Sequence, residues 1–220
     1  RPASLWENRG SMRHHLWWHE ALFLYEAGEL DRTLEYYDKK LENTEAFSYL
    51  ELSNLAALLY RLEAAGIHCG DRWTRLAKRT VPLNGSRNLV FKDIHALLVF
   101  AFAEDGAQFS QLSGLIEGHA GGDTLEADAM REIGVPVARA LAARSNGNAK
   151  TAFDVLNAAR PAFARMGGSN AQRDLLDILL VDLAVEAKET AQAKEAIDRY
   201  LEIRPHSAPM IQRMSALEQM

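Results

Sequence analysis

Residues 21–37 read ALFLYEAGELDRTLEYY. An apolar helical run leads into Gly28. A second run leaves it, with Leu30, Leu34, Tyr37 and Leu41 spaced to share one helix face. Glycine supplies the left-handed cap position that a β-carbon resists, so Gly28 is predicted to join two antiparallel helices. Gly66, Gly106 and Gly147 repeat the arrangement at gaps of 38, 40 and 41 residues. A fixed period of about 20–50 residues is the signature of a repeat architecture. The chain is therefore predicted to be all-α: a right-handed α-solenoid of about five antiparallel helix pairs plus a C-terminal capping helix, one domain over residues 1–220.

Outward from Gly28, residues 1–11 read as irregular, with Pro2, Asn8 and Gly10 as breakers. The first pair is predicted over Arg13–Ala27 and Leu30–Leu41. The second covers Ala46–Ala65, with Leu52, Leu55, Leu59 and Leu62 inward, and Asp71–Arg79, with Asp71 as N-cap. Val81 to Ser86 (VPLNGS) is the clearest loop, because proline and Asn-Gly both disfavour helix continuation. The third pair covers Leu89–Glu104 and Ala107–Glu117. Gly121 to Thr124 breaks the chain and offers a cap. The fourth covers Leu125–Arg144, kinked at Pro136, and Ala149–Met166, kinked or tightened at Pro161. Ser169-x-x-Gln172 fits a capping box and opens the fifth pair, Asn170–Lys188 and Ala191–Ile203. Pro205 stops it, and Ser207–Leu217 closes the array. No segment alternates long enough to be a strand.

Hydrophobic residues make up 48% of the 220, enough to bury a continuous core, so global disorder is excluded. A net charge of −5 favours neither nucleic acid nor an anionic membrane as partner. The one basic stretch, Arg72, Arg75, Lys78, Arg79, Arg87 and Lys92, reads as a solvated helix face or an anion site. Cys69 is the only cysteine, so no intrachain disulfide can form, and the chain fits a reducing, cytoplasmic setting. The longest apolar run, Ala96 to Ala103, falls far short of the roughly 20 residues a membrane span needs. The chain begins at Arg1-Pro2, and is read as the C-terminal part of a longer one.

Trp17, Gly28 and Tyr37 match the early aromatic, the turn and the second-helix aromatic of a tetratricopeptide repeat, and Ala193, Ile197, Tyr200 and Pro205 match the second half of another. Thr33 stands where the motif has alanine, and the middle units are longer than usual. Longer strings are more specific: HLWWH at 15–19 followed by Ala21-Leu22, LYRL at 59–62 with GDRW at 70–73, FKDIH at 91–95, REIGVP at 131–136, and GGSNAQRD at 167–174. Together the chain resembles the C-terminal half of the tetratricopeptide repeat protein 38 family. The resemblance implies a helical-repeat fold and brings no established activity.

His15 and His19 are four apart, about one helical turn on one face, close enough to share a ligand. The order H-x-x-x-H-E is not that of the zinc proteases, and two histidines are half of a tetrahedral site. Ring packing is the structural alternative. Trp18, beside His19, has the best claim among the tryptophans to face a groove, with core packing as its alternative. Asp93 and His95 are two apart and cannot face each other, so a relay between them is not expected. Arg173 lies in the first turn of a helix, where a cation is mildly unfavourable. That conflict asks for a carboxylate partner, from a ligand or from a neighbouring repeat. Asp174 gains from the same helix end, and Asn170 is a capping residue or a groove donor.

The leading helix of each pair is expected to line a concave side. The candidate ligand-binding residues are thus His15, Trp18, His19, Asp93, His95, Arg131, Asn170, Arg173 and Asp174. The functional expectation is a scaffold that binds a peptide or acidic partner in that groove, with self-association or packing against a missing N-terminal half as another use of the face. An enzyme or small-molecule-binding protein using the same His/Arg cluster is the alternative. No metal or cofactor is expected.

Overall fold

The computed structural model describes residues 12–44, 47–84 and 89–219, and every regular element among them is helical. In chain order these are α1 (Met12–Glu26), α2 (Leu30–Tyr36), α3 (Tyr49–Ala64), α4 (Arg72–Thr80), α5 (Val90–Phe102), α6 (Gly106–Ala120), α7 (Leu125–Ala129), α8 (Val135–Ser145), α9 (Ala149–Ala159), α10 (Asn170–Glu186), α11 (Thr190–Ile203) and α12 (Ala208–Leu217). The expected irregular segment 1–11, the expected helix start at Ala46, and Gly85, Ser86 and Arg87 lie outside the described residues.

Gly28, Gly66 and Gly147 take positive φ of 79°, 87° and 75° at the turns of their pairs. Gly106 does not. It begins α6, and Glu104 (φ 55°) holds the left-handed position instead. Lys188 (φ 60°) does the same before α11 with no glycine at all. A single left-handed residue costs roughly 1–2 kcal/mol, which packing on both sides of the turn offsets. Asp105 contributes by capping α6, accepting from the Gln108 N–H at 3.2 Å.

Two helices end differently from expectation. The second helix of the first pair widens at Tyr37–Leu41 into a π-helical turn that buries both named side chains. The predicted Leu125–Arg144 helix divides into α7, a π-helical turn at Met130–Gly134, and α8. Pro136 therefore sits just past the π-helical turn, as the second residue of α8, and the wider turn accommodates the donor that proline lacks. Pro161 tightens the chain after α9 into a 3₁₀ segment, Arg160–Met166. The Thr124 cap forms (Ala127 N–H to Oγ1, 3.1 Å), as does the reciprocal bond at Ser169, whose N–H donates to Gln172 Oε1 at 2.9 Å. Asp71 does not cap α4; its carboxylate pairs with Arg75 at 2.6 Å.

Each leading helix packs on the next, α1 on α3, α3 on α5, α5 on α8. α10 breaks that line: besides its neighbours α9 and α11, it packs back onto α3. α12 packs on α11 and reaches α1. The outcome shows in α3. Glu51 to Leu62 are buried without a gap, so the expected inward stripe of leucines is buried and the opposite face is too. α5 is likewise buried from Lys92 to Phe100. A helix buried on every face is one covered all round, polar residues such as Asn54 and Arg61 included, and the two faces of α3 are covered by different pairs. α3, α5 and α10 thus form the centre of the molecule, while α1 and α8 keep one face toward solvent.

Of the basic stretch, Arg72, Arg75 and Arg79 are engaged by the first pair, Lys78 is exposed, and Arg87 lies outside the described residues. Arg72 binds Asp38 through two bonds of 2.7 and 2.6 Å, Arg75 binds Glu42 at 2.7 Å, and Arg79 donates to the carbonyls of Glu42 and Thr44. These tie α4 to the end of the first pair. Lys92 is buried beside Asp93 at 3.0 Å.

Candidate functional site

The C-terminal ends of α3, α5, α8 and α10 come together with α12 around a cleft of about 350 Å³. Its apolar wall is Phe102, Ala64, Val185, Ala216 and Leu217. Phe102 is held by three neighbours: Trp73 stacked at 4.9 Å, Tyr60 edge-on at 5.4 Å, and the Arg144 guanidinium over its ring at 5.3 Å. Glu63 fixes the adjacent loop by accepting from Cys69 N–H at 2.8 Å and from the Trp73 indole at 3.1 Å. Each hairpin thus supplies a side chain at a fixed height.

Two ion pairs cross the cleft. Arg144 of α8 holds Glu186 of α10 at 2.6 Å. Arg213 of α12 donates through Nη2 to Asp182 Oδ1 and, at 2.6 Å, to the Ala64 carbonyl at the end of α3. The Tyr60 hydroxyl donates to the other Asp182 oxygen at 2.5 Å. Burial pushes the Asp182 carboxyl upward, and the Arg213 guanidinium and Tyr60 hydroxyl hold against it. Helix C-termini carry partial negative charge, and the arginines answer it: Arg213 acts as a cap for α3.

The hydrogen-bond inventory is uneven. Both oxygens of Asp182 and both of Glu186 already accept. On the donor side, Nη1 of Arg213 is buried and has no partner among the described residues, and neither has Nη1 of Arg144. The cleft therefore has arginine N–H groups to give, while of its three carboxylates Asp182 and Glu186 are taken at both oxygens and Glu63 is engaged through Oε1. A second groove of about 390 Å³, between α5, α6 and α8, is lined by Phe109, Ser110, Ala142 and Asn146 among others and gathers no such pairs.

None of the nine residues singled out from the sequence lines this cleft. His15, Trp18 and His19 come together on α1, with His19 Nε2 3.2 Å from His15 Nε2 and both rings against the indole. Trp18 itself is fully buried, so it serves the core. Burial, and then His15, hold His19 below the ordinary histidine range. Asp93 is buried beside Lys92, and burial raises its carboxyl. His95 is fully buried; its Nδ1 bonds the Phe91 carbonyl at 2.7 Å and burial lowers its pKa to about 4. Arg131 holds Asp128 and the Ala120 carbonyl.

Arg173 does not find the carboxylate its position asks for: it donates to the Gly168 carbonyl at 2.5 Å and to Asn170, both in its own turn. The tie between neighbouring helices is made instead by Asp174, which accepts from Arg204 at 2.7 Å. The nine thus settle into separate local environments on α1, α5, the π-helical turn before α8 and the first turn of α10.

Among the described residues, no group of three or more histidine, cysteine, aspartate or glutamate side chains is arranged to hold a metal ion, and no helix is long and apolar enough to cross a membrane. No protein-family model matches the chain, and no solved structure matches it.

Proposed function

We propose that the chain is a tetratricopeptide-like helical scaffold, wound as a right-handed solenoid and belonging with the tetratricopeptide repeat protein 38 family, and that it binds an acidic peptide of a partner protein in the cleft beside Phe102. Support for the repeat reading comes from the recurring turn glycines and from leading helices that pack in sequence, α1 to α3 to α5 to α8. The observation that carries the binding reading is the buried, unpartnered Nη1 of Arg213, a residue lining a cleft in which Asp182 and Glu186 are already engaged at both oxygens. An orphaned buried donor costs about 1–3 kcal/mol, more when charged. A helix terminus contributes roughly 0.3–1 kcal/mol when exposed and is screened, and here the two arginines already answer it. The uncommitted hydrogen-bonding groups of its arginines are donors, so a carboxylate is the complementary group. Phe102, Val185 and Leu217 then take an apolar side chain next to it. No histidine lines the cleft, so the acid–base reading has no imidazole there to use.

The test is fluorescence anisotropy with a short labelled peptide in which glutamates flank one leucine, against the same peptide with lysines. The glutamate peptide binds and the lysine peptide does not. Arg144→Gln weakens binding by about tenfold, the value of one charged hydrogen-bonded contact, with the fold confirmed by circular dichroism. Equal binding of both peptides, or no effect of Arg144→Gln, overturns the proposal.

A further inference from the structure

We propose that His15 and His19 form a two-nitrogen site on α1 for a first-row divalent transition metal ion. The two Nε2 atoms lie 3.2 Å apart with their rings nearly perpendicular, at 83°. Imidazole nitrogens bind such an ion at about 2.0–2.1 Å. Two nitrogens 3.2 Å apart then subtend an angle of about 100° at a shared ion, between the octahedral and tetrahedral values. The pair is spaced as cis ligands already are.

The site is built in advance. His15 stacks on Trp18 at 5.5 Å and His19 meets its edge at 5.0 Å, and Trp18 is fully buried. α1 is fixed beneath them by His14, whose Nε2 bonds the Leu41 carbonyl at 3.1 Å. Both histidines remain partly exposed, so an ion and its waters can reach them. Glu20, next along the helix, is engaged by the Tyr36 hydroxyl at 2.7 Å. Among the described residues the chain therefore supplies two nitrogen ligands, and water fills the remaining positions. Imidazole donors select Cu2+, Ni2+ and Zn2+ over Mg2+ and Ca2+, with Cu2+ bound most tightly.

The competing account is a plain N–H···N hydrogen bond between the rings. Calorimetric titration of the whole chain with Zn2+, and electron paramagnetic resonance with Cu2+, separate the two. The expected result is one equivalent bound, Cu2+ tighter than Zn2+, a two-nitrogen signature, and no response to Mg2+. His15→Gln and His19→Gln keep good helix formers at partly exposed positions, and each weakens binding by at least about tenfold. His68→Gln and His206→Gln, at exposed positions elsewhere, leave it unchanged. No binding at millimolar Zn2+, binding that survives both α1 substitutions, or binding that follows His68 or His206, overturns the proposal.

Discussion

Acid should weaken this fold through His95, and replacing that residue should remove the effect. His95 is fully buried in α5, within the field of the Arg61 guanidinium of α3, with Nδ1 on the Phe91 carbonyl and Nε2 unpartnered among the described residues. Burial is the largest cause of its lowered pKa, and Arg61 adds to it. The folded chain takes the proton only near pH 4, whereas the unfolded chain takes it near the ordinary value of 6.5. Acid therefore favours unfolding across that window, and the stability is intact above it. Linkage gives a loss relative to pH 7 of about 2 kcal/mol by pH 5 and about 3 kcal/mol by pH 4. That is a large part of a total of about 5–15 kcal/mol. Asp93, Asp177 and Asp182, raised by burial, act in the opposite sense, so the informative quantity is the difference between wild type and His95→Leu. That variant removes the titrating ring and its orphaned nitrogen while keeping an apolar volume. Urea unfolding at 25 °C, followed by circular dichroism from pH 7 to pH 4, should show the two stabilities diverging by about 3 kcal/mol in favour of the variant. Curves that stay parallel to pH 4, or an NMR titration placing His95 near 6.5, would refute the reasoning.

Asp182→Leu or Arg213→Met alone leaves a buried partner unanswered and should cost about 3–5 kcal/mol, whereas the two together should recover most of it; urea unfolding of that cycle reads this directly. Gly168→Ala should cost more than Gly147→Ala. Both have positive φ, but a β-carbon at 168 would sit 2.6 Å from Phe91 Cε2 while the space at 147 is open. The excess should be about 1–3 kcal/mol, and equal losses would place the cost in the backbone alone. Burial pushes the Cys69 thiol up to about 12. At pH 8 it should therefore react with iodoacetamide about a thousandfold more slowly in the native chain than in urea; comparable rates would show an open loop at 67–70.

The hairpins were legible because their signals are local. Gly28, Gly66 and Gly147 mark turns by a conformation that few other residues adopt, and Thr124 and Ser169 with Gln172 mark helix starts by side chains within three residues. Gly106 misled because a turn of the same shape formed with Glu104 in the left-handed position. The return of α10 to α3 has no local signal: a continuous apolar run states that α3 is covered, not by which helix. The cleft was missed for the same reason, since Tyr60 and Asp182 are 122 residues apart and Asp182 and Arg213 are 31 apart. One cue was present. Asp182 is a carboxylate in the C-terminal half of an apolar helix, LLDILLVDLAVE at 175–186, where burial and the helix dipole both oppose its charge. The same reasoning applied to Arg173 pointed to a surface turn; applied to Asp182 it points to the cleft.

The central claim is that an acidic peptide seats between Arg144 and Arg213 against Phe102. Methyl NMR of the chain titrated with the glutamate–leucine peptide tests this most directly. Saturable shifts at Ala64, Val185, Ala216 and Leu217, with none at Leu16 and Leu22 of α1, are the predicted result. Shifts centred on α1, or no saturable shift in the methyls around the cleft, would contradict it.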